Sequence, residues 1–190
     1  AALRSVLGET GAYLVVPLCG GAAVYLTFRL GRLWLDRTTG LAAAALVATS
    51  PVFLFQLVQP MSDVPVTAFL LLAIVAACDG TWKAAFGSGL AASIAILIRP
   101  NLAPLAAPLA AWVFVWAPMA RLRTRWLRLL LFAAGIAPLC LLVAWIQFAL
   151  YGSPLTSGYG RLSDIYAVSN FPANLSRYPL WLLQTHTPFL

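Results

Sequence analysis

Charge is what this sequence has least of. Only 9% of its 190 residues are charged and 62% are hydrophobic, whereas soluble domains are about one quarter charged, so a water-soluble globule is excluded. Acids are scarcer than bases: 5 Asp and Glu stand against 12 Lys and Arg, a net charge of +7. In so apolar a chain that excess reflects membrane topology and anionic lipid head groups rather than nucleic acid. The three cysteines, Cys19, Cys78 and Cys140, all fall in apolar stretches without metal-like spacing. They read as small buried residues rather than as disulfides or ligands. There is one histidine, His186. A starting Met is missing too, and AALRSVLGE is neither a signal peptide nor a complete opening helix, which suggests an internal stretch of a longer protein.

What is present is a series of apolar runs separated by brief polar punctuation. Six spans are expected, over residues 11–28, 40–58, 64–78, 84–98, 102–120 and 127–151. Runs of about 20 residues cross a bilayer, and the third and fourth are short for it. Prolines 17, 51, 65, 104, 108 and 138 lie in or near these runs, where membrane helices tolerate them. The expected fold is therefore all-α, a polytopic transmembrane helix bundle over residues 1–151. Residues 152–190, rich in Gly, Ser, Asn, Pro and aromatics, read as a non-cytoplasmic loop with short amphipathic helices on the membrane surface.

Arginine placement sets the orientation. With the turn after the first span inside, alternate loops hold Arg29, Arg32, Arg37, Lys83, Arg121, Arg123, Arg125 and Arg128, while the other side has Arg4, Arg99, Arg161 and Arg177. The positive-inside rule favours that assignment. Glu9, Asp63, Arg99 and residues 152–190 then share the non-cytoplasmic side.

Two ionisable residues on that side carry the functional question. Asp63 stands in QPMSDVP, between two apolar runs. One reading is an N-cap, in which Ser62 or Asp63 accepts from first-turn N–H groups with Pro65 in an early position. The other is a polar cavity at the membrane boundary, where a carboxylate holds a cation or acts on a sugar or phosphate. Arg99, in ILIRPNLAPL, either snorkels to head groups or grips a phosphate with its planar fork. Asn101 lies beside it. In the terminal segment, Tyr159, Tyr166, Tyr178 and Trp181 suit either sugar stacking or an interfacial belt. His186 suits a general base, a phosphate donor or a hydrogen-bonded structural group. Asn174-Leu175-Ser176 fits the N-glycosylation pattern.

The ordered motifs SPVFLFQLVQPMSDVPVTAFLLLA, GSGLAASIAILIRPNLAPL, YGSPLTSGYG and NLSRYPLWLLQTHTP resemble the bacterial integral-membrane glycosyltransferases of the GT-C superfamily, which includes the dolichyl-phosphate-mannose protein mannosyltransferases and lipid A aminoarabinose transferases. The resemblance implies a multi-pass enzyme of the bacterial inner membrane. Such an enzyme moves a sugar from a polyprenyl-phosphate donor to a lipid, glycan or protein acceptor on the non-cytoplasmic side. It places the leading catalytic acid in a first outer loop upstream of Ala1, and gives Asp63 the position of a second acidic residue near the donor phosphate or a metal. Glu9 is the other visible acid on that side, catalytic or simply a solvated or N-capping group. A divalent cation, Mg or Mn, suits Asp63, although one acid does not define a metal site. Arg99, Asn101, Tyr159 and His186 are the expected substrate-binding residues. The alternative is a transporter or flippase without bond chemistry, which inverted repeats would favour.

Overall fold

A computed structural model describes residues 2–59, 61–116, 121–157, 160–161 and 167–185. Apart from one two-residue antiparallel ladder, Thr156–Ser157 with Gly160–Arg161, every regular element among them is helical. The chain divides into two compact units, Ala1–Val143 and Ala144–Leu190, with the division inside the last long helix.

The N-terminal unit opens with α1, Ala2–Trp34. A two-residue turn then leads to α2, Arg37–Thr49, whose first turn is capped by Asp36 accepting from the Thr39 N–H at 2.7 Å. That hydrogen bond holds the exposed Asp36 carboxyl below its ordinary pKa. The turn can be this short because α1 and α2 meet through glycines. A Cβ on Gly31 would lie 2.7 Å from Gly40 Cα. The expected single span over 40–58 is instead broken: α2 stops before Ser50, and α3, Pro51–Leu57, leaves at 62°. Pro51 supplies the cause, since it cannot donate into the preceding turn and forces Ser50 into an extended backbone.

The centre of the unit is a helical hairpin, α4 (Asp63–Ala77) and α5 (Trp82–Ile98), joined by a tight turn with Gly80 at φ +82. Alanine lets these helices pack closely: Ala73, Ala77, Ala85, Ala91 and Ala92 are buried beneath Leu109, Val113 and Phe132. Ser88 satisfies its buried hydroxyl by donating to the Ala73 carbonyl at 2.8 Å. α5 ends at Ile98 because Arg99 precedes Pro100 and is driven out of the helical region, to φ -143 and ψ 88. A 3-10 segment, Pro100–Leu105, and then α6, Ala106–Val115, follow where one helix over 102–120 is expected. Residues 117–120 lie outside the described ones. α7, Leu122–Tyr151, crosses α5 at a second glycine contact. A Cβ on Gly89 would sit 2.2 Å from the Phe132 carbonyl oxygen, and one on Gly135 would sit 2.3 Å from that of Phe86.

The all-α membrane architecture stands. Among the described residues two helices are long and apolar enough to cross alone by length and composition, α1 over Tyr13–Trp34 and α7; the bent pair α2 and α3 makes a third if counted as one span. α4, α5 and Pro100–Val115 are shorter apolar helices. At 1.5 Å per residue α4 reaches only about 22 Å and α5 about 26 Å, against a hydrocarbon core of about 30 Å. The C-terminal unit holds the end of α7, the small ladder, a 3-10 turn at Val168–Asn170 and α8, Phe171–Thr185.

Candidate functional site

The α4–α5 hairpin is fastened at both ends, by different chemistry. At the turn end, the last carbonyls of α4 have no partners within their own helix and accept from neighbouring elements instead. Trp116 Nε1 donates to the Cys78 carbonyl at 2.7 Å, and Arg128 Nη2 donates to that of Ala77 at 3.2 Å. Arg128 Nη1 also reaches the Trp116 carbonyl at 3.3 Å. A cation here meets the negative end of the α4 dipole, and Trp116 is fixed by stacking on Trp112, with ring centroids 4.7 Å apart.

Arg128 is thus a residue whose role sequence reading missed. It was grouped with the loop arginines, yet it is 1% exposed and clamps three elements. The available signal was its place after Trp126 and Leu127, already inside the apolar run of α7 rather than in the loop before it. Arg121 and Arg123 remain exposed. The Arg128–Ala77 bond brings this basic segment to the end of the hairpin that also carries Lys83.

At the open end, Arg99 donates from Nη1 to Asp63 Oδ1 in an ion pair that joins the start of α4 to the end of α5. This displaces the N-cap reading of Asp63. Ser62 occupies the cap position without a side-chain hydrogen bond, and Asp63 is the first helical residue. Pro65, buried in the first turn, removes one of the N–H groups a cap would have had to satisfy. The Asp63 carboxylate is therefore turned across to Arg99, while its backbone carbonyl accepts from Thr67 Oγ1 at 2.8 Å. The snorkelling picture of Arg99 gives way for the same reason. The two side chains are 33% and 38% exposed for Arg99 and Asp63, and as an ion pair at such exposure they contribute little to stability, about 0.2–1 kcal/mol. Arg99 Nε is buried and has no hydrogen-bond partner among the described residues.

Asn101 follows two residues later in the 3-10 segment and is half-buried, so the structure joins Asp63 to Arg99 and leaves Asn101 close to Arg99 in the chain. Glu9 lies in α1, with its side chain outside the described ones. Tyr159, Tyr166 and His186 lie outside the described residues. Tyr178 and Trp181 sit exposed on α8, in the other unit. No group of three His, Cys, Asp or Glu side chains able to hold a metal occurs among the described residues. Asp63 is engaged by the Arg99 guanidinium.

Between α1, α4, the 3-10 segment and α6 lies an open cavity of about 250 Å³, lined by Trp34, Leu70, Ile74, Leu105, Pro108, Leu109 and Trp112. Its lining is hydrocarbon and indole. Leu105, one of its lining residues, stands at the far end of the 3-10 segment from Arg99, a rise of about 12 Å at 2.0 Å per residue.

The family model of the dolichyl-phosphate-mannose-protein mannosyltransferases matches residues 1–146. No curated protein and no solved structure matches the chain.

Proposed function

The chain belongs to the dolichyl-phosphate-mannose-protein mannosyltransferase family, and from that premise we propose that Arg99, held by Asp63, binds the phosphate of a polyprenyl-phosphate sugar donor. Membership makes the chain a membrane glycosyltransferase and favours bond chemistry over the transporter or flippase alternative. The donor, the acceptor (a lipid, glycan or protein) and the non-cytoplasmic sidedness belong to the proposal.

In such a transfer the acceptor oxygen attacks the anomeric carbon and gives up its proton to a base. The bond from that carbon to the phosphate oxygen breaks, and the electron pair leaves with the polyprenyl phosphate. Negative charge therefore grows on the phosphate as the reaction proceeds, and a preorganised guanidinium beside it stabilises the transition state more than the ground state. The observation that carries the reading is the ion pair itself. Asp63 takes Nη1, and the guanidinium stays one-third exposed, so its outward N–H groups suit charge-assisted bonds to phosphate oxygens. Asp63 is then a positioning residue that holds the guanidinium in place. The apolar cavity that Leu105 helps to line suits the isoprene units behind a phosphate held at Arg99. The basic end of the hairpin, with Lys83, Arg121 and Arg123, lies opposite Asp63 and Arg99, which supports a non-cytoplasmic site by the positive-inside rule.

The test is donor binding by Arg99→Lys in the full chain reconstituted in bilayers. Lys keeps the charge but loses the fork, so polyprenyl-phosphate affinity should fall by about tenfold or more, the scale of one charge-assisted hydrogen bond. Unchanged affinity in a correctly inserted Arg99→Lys protein would return Arg99 to a purely structural role.

A further inference from the structure

α8 is the most amphipathic helix of the chain by arrangement and one of the least covered. Phe171, Leu175, Tyr178 and Leu182 fall at i, i+4, i+7 and i+11, one stripe of an α-helix. Asn174 and Pro179 flank that stripe, and Ser176, Arg177 and Gln184, with Leu180 and Trp181, lie around the rest of the circumference. Every residue from 171 to 184 is exposed, so nothing among the described residues covers the stripe: Phe171 is 65% exposed and Leu175 63%. The helix cannot be a span. At 15 residues it reaches about 22 Å, short of the roughly 30 Å hydrocarbon core, and it carries an arginine and several amides and hydroxyls.

We propose that α8 lies in the plane of the bilayer surface, with the Phe171–Leu175–Tyr178–Leu182 stripe in the acyl boundary and Arg177 and Gln184 toward water. The occupant of the uncovered face follows from chain continuity. α7 is a membrane-span candidate whose last turns belong to the same unit as α8. They expose Trp145, Phe148 and Tyr151, aromatic types enriched at the membrane–water interface. Gly152, at φ +71 with its N–H on the Phe148 carbonyl at 2.9 Å, ends α7 there. Residues 152–170 then tether α8 to the end of that helix, and a short tether presents the lipid surface at an effective concentration in the mM range. Pro179 agrees with an interfacial placement. It cannot donate to the Leu175 carbonyl, a defect that interfacial water repairs and dry hydrocarbon does not. With Arg177 its only charge, α8 holds to lipid by burial rather than by electrostatics. The family match ends at residue 146, so α8 lies beyond what that likeness covers.

The experiment is a nitroxide scan of residues 171–184, one cysteine at a time, in the full chain with Cys19, Cys78 and Cys140 replaced. The protein is reconstituted in phosphatidylcholine vesicles. Collisions with lipid-soluble oxygen should peak at 171, 175, 178 and 182, and collisions with a water-soluble nickel chelate at 177, 180 and 184, out of phase and with a period of about 3.6 residues. The pattern should persist at about 1 M salt, where the Debye length is only about 3 Å. Leu175→Asp with Leu182→Asp should abolish the oxygen maxima. High nickel collision at every position would overturn the proposal by placing α8 in water. Low collision with both reagents along the stripe would overturn it in favour of a protein partner or a second copy.

Discussion

Gly135→Ala, one methyl group on α7, should loosen the centre of the bundle. The added Cβ would stand 2.3 Å from the Phe86 carbonyl oxygen and 3.0 Å from Leu90 N, both backbone atoms that no side-chain rotation can move. Restoring a tolerable approach of 3.0 Å to that oxygen requires α5 and α7 to part by about 0.7 Å at their crossing, in an interior packed like an organic crystal. Overpacking of this kind costs about 1–3 kcal/mol, or a fall of roughly 2–12 °C in the thermal midpoint for a chain of this size. Phe132 and the alanines of α5 pack at the same place, so the opening also removes contacts there. Gly87→Ala on α5 is the control: its Cβ would meet nothing within 4 Å, and the change should be neutral or slightly stabilising through helix propensity. Gly89→Ala strikes the Phe132 carbonyl from the opposite side of the same crossing. Once the helices have parted for one methyl the second costs less, so the double variant should lose less than the two single losses combined. Thermal unfolding of the wild type and these four variants in lipid nanodiscs measures all of this. A Gly135→Ala midpoint equal to that of Gly87→Ala, or strict additivity of the pair, would refute the close-crossing argument.

Two further outcomes follow from the clamp and from the topology. Trp116→Phe removes the only side-chain donor recorded on the Cys78 carbonyl among the described residues and should cost about 1–2 kcal/mol. Arg128→Lys should cost a similar amount, because one ammonium cannot span the Ala77 and Trp116 carbonyls as the fork does. The double variant should again be sub-additive in unfolding assays, and independent effects would mean that the two residues do not form one clamp. For sidedness, a membrane-impermeant thiol reagent applied to intact cells should label single cysteines at Ser153 and Asn170 and spare one at Arg123. The reverse pattern would move the proposed site to the cytoplasmic face.

The α4–α5 hairpin was the most legible part of the sequence. Its helices were expected over 64–78 and 84–98 and occupy Asp63–Ala77 and Trp82–Ile98, because Ser-Asp-x-Pro, Asp-Gly-Thr and Arg-Pro punctuate both ends. The break at Ser50–Pro51 was not legible as a break. Hydropathy sees an apolar run across it, membrane helices tolerate proline, and only the backbone shows which way Pro51 turned the chain. The 3-10 start of the fifth helix escaped for the same reason, with Pro100 and Pro104 inside it. Asp63 and Arg99 were expected on one side of the membrane, each weighed against its own bland reading. That they bond to each other across 36 residues is a tertiary fact that no local pattern encodes. Arg128 shows the converse: an arginine beside a basic loop reads as a solvated charge, and only the carbonyls at the end of α4 reveal why it is buried.

The most direct test of the Asp63–Arg99 account is a sugar-transfer cycle in proteoliposomes with a polyprenyl-phosphate-mannose donor, rates being normalised to correctly folded protein. It compares Asp63→Asn, Arg99→Ala, the two together, and the exchanged pair Asp63→Arg with Arg99→Asp. If Asp63 acts by aiming Arg99 at the donor phosphate, Asp63→Asn should lower transfer by about 100-fold, the scale of a lost electrostatic contributor in a low-dielectric site. The double variant should be no slower than Arg99→Ala alone, since residues acting as one unit are grossly non-additive. The exchanged pair should restore the thermal midpoint but not transfer, because the guanidinium then projects from the wrong helix. Wild-type transfer in Asp63→Asn, or recovery of transfer together with stability in the exchanged pair, would contradict the account and leave the ion pair as a fastening of the hairpin alone.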